Sequence, residues 1–134
     1  MNFDWKEYLN LAQFLQGQTG VKYNKESAYR SAVSRAYYAA FCLARNYARD
    51  NQNFSPTYKT EDHELVREHF KSMQMVKLAQ YLDHLRQWRN MCDYYDEITD
   101  KEASNISILP ISAIRRAQQV VNLLNKNQQT SNQA

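Results

Sequence analysis

Residues 25–49, KESAYRSAVSRAYYAAFCLARNYAR, contain neither glycine nor proline. The small and apolar residues of this stretch recur every three or four positions, which is the period of an α-helix. One face of that helix collects Tyr29, Ala32, Val33, Ala36, Ala40, Leu43, Ala44 and Tyr47. Alanines dominate the face, so a neighbouring helix can approach closely. With Asn24 as a favourable N-cap, the pattern predicts a helix of roughly 35 Å from Lys25 to Arg49.

Further helical segments lie on both sides of this one. Apolar spacing predicts helices over residues 4–16, 61–71 and 74–95, and a last helix ending near Asn125. Thr99-Asp100-Lys101-Glu102 matches a capping box, so a helix is also predicted to begin there, and Pro110 either kinks it or restarts it. The polar segment 50–60 is predicted as a loop. We therefore expect one all-α domain over residues 1–126, with almost no strand, and a disordered polar tail at 127–134.

Composition narrows the class of protein. A length of 134 residues suits one domain, and only 2 glycines and 2 prolines disfavour a many-stranded β fold. We find no apolar run near the ~20 residues that span a bilayer and no apolar signal core at the N-terminus. These features predict a cytoplasmic protein with no membrane partner. The net charge of +3 permits an anionic partner without requiring one. Cys42 and Cys92 are interpreted as reduced core residues, with a disulfide as the alternative.

A polar cluster interrupts the apolar stripe of the helix predicted over 74–95. The stripe comprises Leu78, Tyr81, Leu82, Leu85, Trp88 and Cys92. Arg89 points nearly the same way, and a guanidinium directed into a core is costly unless it is paired. Asp93 follows one turn later, and Arg86 and Asn90 lie at the edge of the stripe. In one interpretation an Arg89–Asp93 pair orients the helix, or the edge of the stripe is simply exposed to solvent. In the other, the cluster forms a cleft that binds a phosphate or nucleotide.

The helix over residues 25–49 carries a second candidate surface. Arg35, Tyr38, Arg45 and Arg49 fall roughly opposite its alanine-rich face. An aromatic ring among arginines suits nucleic acid or a protein partner, whereas the alternative is a solvated face. The three histidines, His63, His69 and His84, have no spacing typical of a metal site, and neither a metal nor an organic cofactor is expected.

Two segments resemble signatures of the HEPN family of helical domains. Residues 27–45, SAYRSAVSRAYYAAFCLAR, are similar to the family's long helix, with an Arg-Ala-Tyr-Tyr-Ala run from Arg35 to Ala39 followed by Phe41. Residues 82–97, LDHLRQWRNMCDYYDE, resemble the helix end that carries the family's arginine and its polar neighbour, here Arg89 and Asn90. The resemblance covers most of residues 3–125.

The resemblance implies an up-and-down bundle of four to five helices that pairs into a homodimer. In catalytic HEPN members an arginine is followed after four to six residues by a histidine, and two such motifs cleave RNA across the dimer without a metal. Many members accompany a small nucleotidyltransferase as toxin and antitoxin, and others serve in phage defence. The present chain departs from this motif because no histidine follows His84. Its Arg-Asn-x-x-Asp-Tyr run from Arg89 to Tyr94 resembles a branch of the family that carries this run in place of the ribonuclease motif.

Three hypotheses of function follow from the residues and the resemblance. The first is a protein of a prokaryotic toxin–antitoxin or defence module that binds RNA, a nucleotide or a nucleotidyltransferase through an Arg89-centred cleft. Its candidate binding residues are Arg35, Tyr38, Arg45, Arg86 and Arg89. The second is a metal-independent endoribonuclease whose catalytic candidates are Arg89, Asn90, Asp93 and Tyr94. The third is a helical interaction module with a purely structural role.

Overall fold

The computed structural model describes residues 3–17, 24–98 and 105–133, and within these ranges the fold is an all-α bundle without strands. Its helices are α1 (Lys6–Gln16), α2 (Lys25–Asn51), α3 (Asp62–Ser72), α4 (Val76–Tyr94) and α5 (Leu109–Gln133). This agrees with the predicted fold class and with an up-and-down helical bundle. Across the same ranges no helix combines the length and the apolar character needed to cross a bilayer.

Helix α2 is the centre of the bundle. It contacts each of the other four helices, and all seven of its alanines are buried, namely Ala28, Ala32, Ala36, Ala39, Ala40, Ala44 and Ala48. A methyl side chain keeps the helix surface narrow, so backbones can pack closely around it. The predicted start is confirmed, because Asn24 Oδ1 accepts a hydrogen bond of 2.8 Å from the Ser27 amide. Nearly all of its circumference is covered, whereas the sequence predicted a single buried face.

The core of α4 largely follows the predicted stripe. Leu78, Leu82, Leu85, Trp88 and Cys92 are all buried on this helix. The buried residues of α5 include Ala113, Ile114, Ala117, Val120 and Leu124, whereas Ile111 is 41% exposed. Both cysteines are buried free thiols.

Two predictions at the ends of α5 have different outcomes. The helix begins at Leu109, which places Pro110 in its first turn, where the missing N–H costs no hydrogen bond. Pro110 therefore starts this helix rather than kinking it. At the other end α5 continues to Gln133, so residues 127–133 are helical, whereas the sequence predicted a disordered tail after a helix ending near Asn125. The predicted capping box at 99–102 lies outside the described residues.

Candidate functional site

The cluster around Arg89 is a set of internal contacts between α2 and α4. Nη1 of Arg89 donates to Asn90 Oδ1 at 2.7 Å, and Nη2 donates to the hydroxyl of Tyr38 on α2. Nε lies 3.2 Å from Asp93 Oδ2, within ion-pair distance but without the alignment of a hydrogen bond. The Arg89 side chain is only 14% exposed. Each nitrogen of the guanidinium thus faces a polar neighbour in the same protein.

Asp93 is also held by the neighbouring helix. Its carboxylate accepts a hydrogen bond of 3.1 Å from Oγ of Ser34, a buried residue of α2. The cluster therefore joins α2 to α4, as the structural interpretation of the Arg89–Asp93 pair expected. Tyr94 lies on the open side, with its side chain 69% exposed and its ring centre 5.5 Å from the Arg89 guanidinium carbon.

Arg86 belongs to a separate ion-pair group. It lies 3.1 Å from Asp83, and Arg67 of α3 lies 3.7 Å from the same carboxylate. Arg67 also donates to the backbone carbonyl of His63 at 2.7 Å. Arg86 and Arg67 together connect α4 to α3, so Arg86 does not join the Arg89 contacts that the sequence grouped it with.

A trough runs along α2 beside this cluster. The side chains on its floor are Arg35, Tyr38, Phe41, Cys42 and Arg45 of α2. Its walls are formed by Trp5 and Tyr8 on one side, and by Tyr58, Lys59, Thr60, Asp62 and His63 on the other. The trough encloses about 470 Å³, which lies in the range of small-ligand sites. Its lining is rich in aromatic rings and cationic groups.

The two arginines of the trough lie against aromatic rings. The guanidinium carbon of Arg35 is 4.7 Å from the ring centre of Tyr8 and 5.2 Å from that of Tyr38. The corresponding carbon of Arg45 is 5.2 Å from Tyr58 and 5.7 Å from Trp5. Such cation–π contacts orient a guanidinium without neutralising its charge.

Neither trough arginine forms an ion pair with an acid of the described residues. In the part of the chain that the structure describes, no carboxylate oxygen lies within 4.0 Å of the Arg35 or Arg45 nitrogens. Their hydrogen bonds go to neutral neighbours, from Arg35 to Ser34 Oγ at 3.3 Å and from Arg45 to Asn46 Oδ1 at 3.0 Å. Arg49, by contrast, pairs with Asp50 at 2.8 Å and does not line the trough. Within the described residues Arg35 and Arg45 therefore form no ion pair beside the open cavity, although the positive charge of Arg45 acts on the Asp62 carboxylate.

Asp62 fixes the loop that forms one wall of the trough. Its carboxylate is 2% exposed and accepts hydrogen bonds from the Thr57 amide at 3.0 Å, the Thr57 hydroxyl at 2.7 Å and the Tyr58 amide at 2.8 Å. Burial alone would raise the pKa of Asp62, but these bonds, together with the positive charge of Arg45, outweigh it and hold the pKa below its usual value. The loop is thereby held with Tyr58 at a φ of 58°, a left-handed conformation that non-glycine residues rarely adopt.

His63 occupies the part of the trough nearest Arg89. Its ring stacks on Phe41 with ring centres 4.4 Å apart, and Nδ1 shares a hydrogen bond with the hydroxyl of the buried Tyr37. Burial, together with the charges of Arg89 and Arg67, lowers the pKa of His63. Both effects favour the neutral form of the histidine.

Two further groups at the site, Cys42 and Tyr37, are not activated as nucleophiles. Burial raises the pKa of Cys42 to about 11, so its thiol stays protonated at neutral pH. Burial also raises the pKa of Tyr37. Within the described ranges no group of three or more His, Cys, Asp or Glu side chains is placed to hold a metal ion. What the arrangement offers is positive charge and aromatic surface, the features that bind an anion bearing planar groups.

The structure separates the candidate residues into two sets. Arg35, Tyr38 and Arg45 line the trough together, and Arg89 lies behind Tyr38 and holds its hydroxyl. The remaining candidates, Arg86, Asn90, Asp93 and Tyr94, do not line it. Sequence reasoning missed Lys59, which lies in the loop between α2 and α3, and His63, which lies in the first turn of α3. Both approach α2 only in the folded chain.

Comparisons of sequence and of structure identify no relative of this protein. No family model, curated protein or solved structure matches the chain. The resemblance to HEPN domains, and the homodimer and partners that it implies, therefore stay predictions.

Proposed function

We propose that this protein binds single-stranded RNA in the trough along α2. The observation that carries the proposal is the position of Arg35 and Arg45. Within the described residues neither guanidinium forms an ion pair, and both lie against aromatic rings in an open cavity. Proteins that bind single strands combine a positively charged groove with rings on which bases stack. The trough has both components in one place.

The roles of the residues follow from their positions. Arg35 and Arg45 are ten residues apart, which is about 15 Å along a helix, so they bind separate phosphates of one strand. Lys59, on the opposite wall, supplies a third cation. Tyr38 and the rings at the start of α1 offer stacking surfaces for bases. Arg89 acts indirectly, since it fixes the Tyr38 hydroxyl from behind.

The resemblance to HEPN domains favours RNA rather than DNA as the ligand, and it suggests the biological system in which the protein acts. In that setting the chain forms a homodimer and works in a prokaryotic toxin–antitoxin or defence module, beside a small nucleotidyltransferase. The proposed activity is binding rather than cleavage, because Arg89 and Asp93 are engaged with each other and with α2.

Fluorescence anisotropy with a short labelled single-stranded RNA tests the proposal. The double variant Arg35→Gln, Arg45→Gln removes two charges whose hydrogen bonds are each expected to contribute about 1.5–3 kcal/mol, so the dissociation constant should rise about 100-fold or more. Arg115→Gln is the control, since Arg115 is an exposed arginine of α5 outside the trough. It should bind within about twofold of the wild type, a difference of roughly 0.4 kcal/mol.

The outcomes separate the three hypotheses of function. Equal binding by the wild type and the trough variant would overturn the proposal. No binding of RNA or DNA by the wild type would favour the interaction module. Shortening of the RNA during the titration, in the presence of EDTA, would favour the endoribonuclease.

A further inference from the structure

His63 lines the trough, and its two ring nitrogens differ in their hydrogen bonding. Nδ1 is occupied by the hydroxyl of Tyr37, which is 1% exposed, so this edge of the ring points into the core. For Nε2 the described part of the chain supplies no hydrogen-bond partner. The ring itself lines the trough and is held by its stack on Phe41. Nε2 is thus the nitrogen left for a ligand.

Charged groups surround this histidine from three helices and from the trough itself. Arg67 lies on its own helix, and Arg86 and Arg89 approach from α4. Asp62 is the one acid among the groups acting on His63, and its carboxylate is already occupied by Thr57 and Tyr58. The remaining ionisable neighbours from α2 and the trough walls are Tyr37, Tyr38, Arg35, Arg45 and Lys59. A proton on His63 is therefore disfavoured until an anion enters.

We infer that His63 is a phosphate-binding group of the trough and takes up a proton when nucleic acid binds. The inference rests on the proposed RNA binding and adds to it a named contact and its ligand, a phosphodiester group. In the imidazolium form both nitrogens carry a proton, so Nδ1 donates to the Tyr37 oxygen and Nε2 donates to the phosphate. The negative phosphate offsets the repulsion from the neighbouring guanidiniums, which is what permits the proton.

This coupling predicts that affinity depends on pH with a definite sign. Burial and the neighbouring guanidiniums lower the pKa of His63, and the negative charge of a bound phosphate would raise it. Between these two values binding consumes up to one proton, so affinity falls as pH rises, by up to about tenfold per pH unit. Histidine is the one side chain whose ordinary pKa lies in the range of about pH 5–8.

The experiment titrates labelled single-stranded RNA with the full chain at pH 6, 7 and 8 and constant ionic strength. For the wild type the dissociation constant should rise with pH over this range, by up to about tenfold per pH unit. His63→Gln keeps a donor near the Nε2 position but cannot gain a charge, so its affinity should be nearly independent of pH. His69→Gln is the matched control, because His69 lies on the same helix, bonds Gln52 at 2.8 Å and does not line the trough.

Each outcome decides the inference. A pH dependence retained by His69→Gln and abolished by His63→Gln supports it. A dependence that survives in His63→Gln, or its absence from a wild type that binds RNA, overturns the inference and leaves the proposed function standing. A wild type that binds no RNA at any pH overturns both. If His63→Gln fails to fold, calorimetric titration of the wild type in two buffers of different ionisation enthalpy measures the proton directly, and zero uptake overturns the inference.

Discussion

Replacing Arg89 with alanine tests whether this residue joins the helices or merely borders the cluster. The guanidinium is 14% exposed and faces Asn90, Tyr38 and Asp93. Hydrogen bonds that involve a charged group contribute about 1.5–3 kcal/mol each. Asp93 is 30% exposed and keeps its bond from Ser34, so water and the serine replace part of what is lost. We therefore expect Arg89→Ala to lower the free energy of unfolding by about 2–3 kcal/mol. This is less than the sum of the separate contributions of its contacts.

The assay is urea unfolding at pH 7 followed by circular dichroism, with thermal unfolding as a second measurement. For a domain of this length a loss of 1 kcal/mol lowers Tm by about 3–5 °C, so Arg89→Ala should melt about 10 °C below the wild type. Arg89→Lys keeps the charge but loses the planar fork, and it should recover about half of the lost stability.

Arg86→Ala is the stability control for this prediction. Arg86 lies on the same helix, but its side chain is 31% exposed and its partner Asp83 is 38% exposed. Exposed pairs of this kind contribute at most about 1 kcal/mol. Wild-type stability for Arg89→Ala, or a loss no larger than that of Arg86→Ala, would refute the structural role of Arg89.

Three further predictions concern the loop, the end of α4 and the trough thiol. Asp62→Asn should lower stability at pH 7 and weaken the loss of stability on acidification below about pH 4, because a carboxyl with a lowered folded pKa stabilises only while ionised. Unfolding in urea at pH 7 and pH 3 measures both effects, and an acid dependence equal to the wild type would contradict the reasoning. Arg30→Ala removes the hydrogen bonds to the carbonyls of Cys92 (3.0 Å) and Tyr95 (2.6 Å), which cap the end of α4. Amides at the end of α4 should therefore exchange hydrogen faster, and unchanged protection would count against this cap. Burial raises the pKa of Cys42 to about 11, so iodoacetamide should modify this thiol far more slowly in the folded protein than in urea, and equal rates would show the thiol to be accessible.

The main helix was predictable because its signals are local. The N-cap at Asn24, the absence of helix breakers and the alanine spacing all act within a few residues of one another. The end of α5 was not predictable in the same way, since the polar run after Asn125 lacks an apolar stripe. A polar helix that extends an existing one needs no new nucleus, so polarity alone does not mark its end.

The candidate site was only partly predictable because its contacts are distant in sequence. The Arg89–Asp93 pair is one helical turn long and could be read from spacing. His63 meets Phe41 and Tyr37 across a loop whose path depends on the buried Asp62, and no local pattern encodes that path. The solvated-face alternative for Arg35 and Arg45 also could not be decided from α2 alone, because the walls of the trough come from other segments.

The salt dependence of affinity is the sharpest test of RNA binding in the trough, since it counts the phosphates neutralised by the protein. Each phosphate contact on a single strand contributes a slope of about −0.7 to the logarithm of the binding constant against the logarithm of salt concentration. With Arg35, Arg45 and Lys59 engaged, the wild type should show a slope of about −2. The double variant Arg35→Gln, Arg45→Gln should show a slope of about −0.7. A wild-type slope near zero, or the same slope in both proteins, would contradict the binding of RNA in the trough.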